Sequence, residues 1–128
     1  MEALLVPVGA AWHAVEIASV REVVRATTTA PVPNGPSWLI GLANLRGEIV
    51  PVVDSAVALG DAPLDMPSHL VVVETARGKA ALAATGAPST IDLGEPSGAS
   101  ERRGGRGRYT LDDRVASLLD LDTLVSTS

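Results

Sequence analysis

Arg46 is the side chain whose setting most clearly indicates a chemical role. It lies with Gly47 between two apolar runs, Ile40 to Leu45 and Glu48 to Val53. Glycine supplies the positive φ that a two-residue turn needs, so the pattern predicts a β-hairpin with Arg46 at its tip. An arginine held at a fixed place on a rigid hairpin is typical of a docking surface. The competing interpretation is a solvated turn residue with no further role.

The other residues that could do chemistry form no catalytic or metal-binding pattern. His13 and His69 lie in different predicted strands without an acid at ligand spacing, which favours solvated or core histidines over a metal site or a general base. The acidic stretch 112–122 lacks the spacing of a calcium-binding loop and is better explained by a turn and a helix cap. There is no cysteine and no P-loop, G-x-G-x-x-G or G-x-S-x-G motif. The sequence therefore predicts no enzyme, no metal and no cofactor.

Composition predicts one folded domain outside the membrane. The chain has 128 residues, of which 46% are hydrophobic and 20% are charged, as in globular proteins. It contains no Phe, so Val, Leu, Ile and Ala must fill the core. The net charge of −5 argues against a general binder of nucleic acid or of anionic membranes. With no signal peptide or membrane span recognisable at its start, the protein is expected in the cytoplasm.

One segment has the opposite charge. The stretch from Glu101 to Arg108 carries four arginines and one acid. The loop from Arg102 to Arg108, with Trp12 or Tyr109 as a stacking platform, is the basis of an alternative function, that of a small β-barrel nucleic-acid-binding protein. The acidic remainder of the chain and its few aromatic residues argue against this alternative.

Short apolar runs separated by Gly, Pro, Asn and Asp predict an all-β protein of nine or ten strands. The predicted strands include Leu4 to Val8, Trp12 to Ile17, Glu48 to Val53, His69 to Thr75 and Arg114 to Leu119. Gly94 to Gly107 is expected to be a mobile loop, and Asp61 to Pro67 a linker between two groups of strands. Two small barrels side by side fit this pattern because short strands have exposed edges unless a sheet closes on itself.

The segment Gly41 to Asp54, GLANLRGEIVPVVD, and the preceding run Val20 to Val24 closely resemble the CheW family of chemotaxis coupling proteins. Weaker matches at Pro31 to Pro36 and Asp112 to Leu124 extend the resemblance over nearly the whole chain. It implies a single domain, 1–128, with a CheW-like fold of two small five-stranded β-barrel lobes, short helical turns and a short C-terminal helix. The first lobe is expected at about 12–60, and a shortened second lobe at about 1–8 plus 68–125.

The resemblance also implies a non-catalytic scaffold or adaptor that couples methyl-accepting chemotaxis receptors to the histidine kinase CheA, through the regulatory domain of the kinase. The receptor tip, a helical hairpin, would lie in an apolar groove between the lobes. No nucleic acid and no direct membrane contact are implied. The residues that match the receptor-binding positions of the family are Leu4, Ile17, Val20, Glu22, Val23 and Arg46.

Two features of this chain bear on those expectations. Strict alternation would place Val20 and Glu22 on one face of their strand and Val23 on the other, and Glu22 is either a surface charge or a partner of Arg46. Asp112 and Asp113 replace the usual Asp-Gly turn, and the segment before them is short. The second lobe could therefore depend on a partner or on pairing with a second copy of the chain.

Overall fold

The computed structural model describes residues 1–94, 98, 105–111 and 114–125. The described residues form ten strands, and the predicted all-β class is confirmed. The strands are β1 (Glu2–Val8), β2 (Ala11–Glu16), β3 (Val20–Arg25), β4 (Leu39–Leu45), β5 (Glu48–Val53), β6 (His69–Thr75), β7 (Gly78–Ala84), β8 (Ser89–Asp92), β9 (Gly105–Leu111) and β10 (Arg114–Leu119). Two short helices, α1 (Ser55–Ala58) and α2 (Leu121–Leu124), follow β5 and β10, and a 3₁₀ turn, Ile17–Ser19, precedes β3. No helix in these ranges has the length and hydrophobicity needed to cross a membrane.

The strands form two five-stranded sheets with the same internal order. The first lobe has the order β3-β6-β7-β5-β4, and the second lobe has the order β8-β1-β2-β10-β9. If each of the strands β1 to β5 is exchanged with the strand five places later in the chain, one order becomes the other. The same exchange converts the parallel pair of the first lobe, β5–β7, into the parallel pair of the second lobe, β10–β2. The chain is thus an internal repeat of five strands and a helix. Each lobe takes strands from both repeats, so the two halves are interlocked.

This grouping corrects the predicted boundaries of the lobes. β2 was expected in the first lobe but pairs with β1 in the second, because the two strands form a tight hairpin through Gly9 and Ala10. β6 and β7 were expected in the second lobe but lie between β3 and β5 in the first. Alternation and turn residues locate strands along the chain, whereas the choice of neighbouring strand depends on pairings far apart in sequence.

A short bridge brings the two edges of each sheet together. Ala30 lies five residues after β3, and its backbone exchanges two hydrogen bonds of 2.8 Å with Leu42 of the opposite edge strand, β4. In the second lobe Gly98 follows β8, and its carbonyl accepts a 2.8 Å hydrogen bond from the Arg108 amide of β9. One chain therefore supplies five strands and a closing bridge to each lobe. In this structure the shortened second lobe forms without a strand from a second copy of the chain.

The expected mobile loop overlaps a strand. Gly105–Leu111 pairs with β10, so the expectation of a loop up to Gly107 is wrong for its last three residues. Glycine and arginine alternate at the start of this strand, and glycine is depleted in strand interiors. The remainder of the expected loop, apart from Gly94 and Gly98, and the turn 112–113 lie outside the described residues.

Aliphatic side chains fill three clusters, one inside each lobe and one between the lobes. The cluster between the lobes is the largest and combines the outward faces of both sheets with the two helices. Removing this apolar surface from water joins the lobes into one body. Its best-buried strand members are Val6, Val15, Val53, Val71, Val73, Leu82 and Ala84.

Candidate docking site

A β-bulge in β3 sets the direction of the apolar side chains in the predicted site. The pairing of β3 with β6 shifts register between Val20 and Glu22, so that Val20 lies opposite Val73, and Val23 lies opposite Val71. Both partners belong to the cluster between the lobes, so Val20 and Val23 share the face that adjoins it. The expected alternation is wrong here because one extra residue in the bulge reverses the faces of the strand.

Three of the predicted apolar residues form a continuous surface beside that cluster. Val23 is 40% exposed, while Ile17 and Val20 are half-buried and pack against the edge of the cluster. Leu4 is only 6% exposed and lies inside the cluster. The expectation that Leu4 lines an open groove is therefore corrected, since its side chain supports the surface from beneath. Ile17, Val20 and Val23 are called the β3 surface below.

Arg46 occupies a strained backbone position at the tip of the β4–β5 hairpin. Its φ is 56° and that of Gly47 is 85°, and positive values at both central residues are the requirement of a type I′ turn. Asn44 Oδ1 accepts a hydrogen bond of 2.8 Å from the Gly47 amide and fixes the turn. A left-handed conformation costs an ordinary L-residue roughly 1–2 kcal/mol, a cost that glycine largely escapes. The turn therefore holds an arginine where glycine or asparagine would fit more easily.

The guanidinium of Arg46 is tied to the β3 strand. Arg46 Nη1 lies 3.1 Å from Glu22 Oε1, and the two side chains are 80% and 33% exposed. The structure thus pairs Glu22 with Arg46, which was one of its two interpretations. A pair this exposed contributes roughly 0–1 kcal/mol to folding. Its main effect is to hold the Arg46 guanidinium against Glu22 of β3, while most of the arginine side chain still faces solvent.

Two further arginines lie on β3, and neither was among the predicted site residues. Arg21 and Arg25 are exposed, and Arg25 is the cross-strand neighbour of His69. Arg21 Nη1 donates a 3.2 Å hydrogen bond to the Ala18 carbonyl. The signal that could have found them is the run Arg-Glu-Val-Val-Arg itself, since charges spaced along an exposed edge strand remain in solvent.

The two histidines do not meet. His13 is buried, and its Nδ1 is 2.8 Å from the Ser55 hydroxyl, which links β2 of the second lobe to α1 of the first. His69 Nδ1 is hydrogen-bonded to the neighbouring Ser68 hydroxyl at 2.8 Å. Across the described ranges, no three His, Cys, Asp or Glu side chains converge to hold a metal ion.

The two aromatic rings and Arg106 of the nucleic-acid alternative are buried or paired with neighbouring side chains. Tyr109 is buried in the second-lobe cluster, so the expectation that its ring offers a stacking platform is wrong. The Trp12 ring is covered by the Arg114 guanidinium, 4.4 Å from its centroid. Arg106 forms an ion pair with Glu16. Arg102 and Arg103 lie outside the described residues.

Comparison with known proteins identifies relatives along the whole chain. The family model described as CheW-like domain matches residues 2–128. A probable chemotaxis protein CheW from Rhizobium etli is 33% identical over 122 residues, which cover 88% of this chain and 79% of that protein. The chemotaxis protein CheW of Rhizobium meliloti is 31% identical over 127 residues, covering 91% of this chain and 82% of that protein.

A solved structure has the same fold. The scaffolding protein TtCheW from Thermoanaerobacter tengcongensis superposes with a TM-score of 0.81 over 99% of this chain and 93% of that chain. The two sequences are 23% identical. The likeness confirms the predicted fold of two β lobes.

Proposed function

The chain belongs to the CheW-like family of chemotaxis adaptors, and on that premise we propose that it couples methyl-accepting chemotaxis receptors to the histidine kinase CheA. In this role it is a non-catalytic scaffold that works beside the cytoplasmic tips of the receptors. The observation that carries the proposal is the exposed side chain of Arg46, held in a strained turn against Glu22 of β3.

The strain at Arg46 supports a binding role over a purely structural one. A residue with positive φ that is not glycine costs stability, and such residues cluster at functional sites. The ion pair with Glu22 is too exposed to offset much of that cost. A function that needs a guanidinium at this point explains why the turn carries arginine.

The proposed receptor site follows the pattern of a helix lying on an apolar groove. Ile17, Val20 and Val23 provide the apolar contacts, while Glu22 and Arg46 lie beside them. In this mode apolar anchors supply affinity and charges at the rim set the register. Simultaneous binding of a receptor and the kinase requires the CheA regulatory domain to contact a surface away from β3.

Calorimetric titration against two partners tests the proposal. We expect the chain to bind both a receptor cytoplasmic hairpin and a CheA regulatory domain, and to bind them together. Binding of neither partner at tens of micromolar would overturn the coupling role.

A pair of matched variants tests the location of the receptor site. Val23→Asp should weaken receptor binding at least tenfold, because it places a charge in the apolar contact, and it should leave the fold intact because Val23 is partly exposed. Val115→Asp, at an exposed position of β10 in the second lobe, is the control and should leave receptor binding unchanged. Equal effects of the two variants would contradict the assignment of the site to β3.

A further inference from the structure

The β3 surface continues into an acidic cavity at one end. The cavity has a volume of about 240 Å³ and lies at the seam between the lobes. Ser19, which lines it, directly precedes Val20, and Glu74, which also lines it, directly follows the cross-strand partner of Val20. The cavity therefore opens where the β3 surface begins. Its charged lining residues are Glu16, Glu74, Arg106, Asp120 and Asp122.

The carboxylates of this cavity outnumber its cation. Arg106 is paired with Glu16, so it offsets one of the four acids. Asp122 accepts a 2.8 Å hydrogen bond from the Ala76 amide, and Asp120 caps α2 through the Thr123 amide. Neutral amides leave both charges in place, so the cavity has a negative field, which favours a basic side chain of a partner.

Arginines lie along the other part of β3. Arg46 is held against Glu22 in the middle of the strand, and Arg25 is at its far end. Arg21 is turned back towards the Ala18 carbonyl. A neutral carbonyl leaves the charge of Arg21 in place, so Arg21 and Arg106 together offset two of the four acids of the cavity. Glu22, the only acid of β3 itself, is paired with Arg46, so the charge along this edge still changes from negative at the cavity to positive at Arg25.

We propose that the β3 surface binds its helical partner in one direction, with a basic side chain of the partner in the seam cavity and acidic side chains against Arg46 and Arg25. The inference rests on the proposed function and adds to it the charge pattern of the bound segment. In the reverse direction, acids of the partner would face the cavity carboxylates. Juxtaposed like charges oppose binding, and complementary charges fix register.

The geometry also sets a length for the bound segment. Val20 and Arg25 are five residues apart, which is at most about 17 Å along a strand. A helix covers about 17 Å with roughly 11 residues. The partner should therefore carry its basic and acidic side chains about three helical turns apart, with an apolar stripe between them.

Disulfide cross-linking tests the direction, because the chain has no cysteine of its own. Ala76→Cys labels the cavity end and Thr27→Cys labels the end beyond Arg25, and both positions are exposed. The probe is a receptor cytoplasmic hairpin with one cysteine, placed either beside its basic residues or beside its acidic residues. We expect the Ala76→Cys variant to prefer the basic-side probe, and the Thr27→Cys variant to prefer the acidic-side probe, each at least fivefold.

The outcomes separate this inference from the proposed function. Reversed or equal preferences with intact binding overturn the direction and leave receptor docking in place. Absence of both cross-links and binding overturns the proposed function as well.

Charge reversal supplies an independent measurement. Glu74→Lys should weaken binding of the same receptor hairpin about three- to tenfold at low salt, and the difference should shrink at 0.5 M salt because screening removes it. Glu2→Lys, at an exposed position of β1, is the control and should leave affinity unchanged. An unchanged affinity of the Glu74→Lys variant would contradict the role of the cavity.

Discussion

The two lobes repeat one strand order, yet each uses an arginine–glutamate pair in a different way. In the first lobe the Arg46 side chain is 80% exposed, and its Nη1 lies 3.1 Å from Glu22 Oε1. In the second lobe Arg106 and Glu16 are 40% and 36% exposed and lie at the seam. One arginine faces solvent, and the other joins β9 to β2. If the proposed docking role of Arg46 is correct, an internal repeat can keep its topology while only one copy acquires a binding residue.

The bridges that close the two lobes also differ, in how much room each leaves for an added side chain. Gly41 allows the first-lobe bridge by direct backbone contact, since a Cβ at this position would lie 2.5 Å from the Ala30 carbonyl oxygen. In the second lobe a Cβ on Gly98 would meet the end of the Arg108 side chain at 3.0 Å. A side-chain tip can move, whereas a paired backbone cannot. The bridge of the first lobe, which carries the proposed docking site, therefore tolerates an added side chain less than the bridge of the second lobe.

Of the comparisons between the lobes, alanine substitution of Gly41 and of Gly98 should give the largest difference in lost stability. Gly41→Ala should lower the free energy of unfolding by about 2–3 kcal/mol, because the new methyl group forces Ala30 away from Leu42. Gly98→Ala, its matched control, should cost about 0.5 kcal/mol or less. Urea denaturation of both variants measures the difference. Equal losses would show that the two bridges are equally tolerant.

The caps of the two helices provide a second contrast. Asp54 is buried, and its carboxylate accepts hydrogen bonds from three amides, those of Ala56, Val57 and Leu64. Asp120, at the same place in the repeat, accepts one hydrogen bond, 3.3 Å long, from the Thr123 amide.

Removal of each cap should therefore have unequal effects. Asp54→Ala should cost about 2–3 kcal/mol of unfolding free energy, because buried donors lose their partner. Asp120→Ala should cost about 0.5–1 kcal/mol, the value of an ordinary N-cap. Thermal unfolding followed by circular dichroism measures both. A larger loss for Asp120→Ala would reverse the comparison.

The sequence predicts individual strands better than their neighbours. The bounds of β5, β6 and β10 match the prediction because apolar runs end there at turn residues. The location of β2, β6 and β7 was wrong because their sheet depends on long-range pairing. The start of β9 was missed because Gly105 to Arg108 has the composition of a loop.

The site was predictable in part. The hairpin and Arg46 follow from the Arg-Gly turn, and the ion pair with Glu22 was one of two stated interpretations. The β3 bulge has no glycine or proline signal, so alternation placed Val20 and Val23 on opposite faces. The burial of Leu4 depends on the packing of two lobes, which no local pattern contains.

Arg46→Asn provides the smallest change in stability and the sharpest test of function. Asparagine adopts positive φ more readily than arginine, so the unfolding free energy should stay equal or rise by up to about 1 kcal/mol. Receptor binding should weaken at least tenfold, because the guanidinium is lost. Arg114→Asn, which removes the arginine stacked on Trp12 in the second lobe, is the matched control and should leave receptor binding unchanged.

The dissociation constant of a receptor cytoplasmic hairpin for the Arg46→Asn variant, measured beside the melting temperature of that variant, tests the central claim most directly. The strained arginine is predicted to serve docking, so affinity should fall at least tenfold while the melting temperature is maintained or raised. An unchanged dissociation constant would contradict the claim and leave Arg46 as a solvated turn residue. A large fall in melting temperature would contradict it as well, since Arg46 would then be structural.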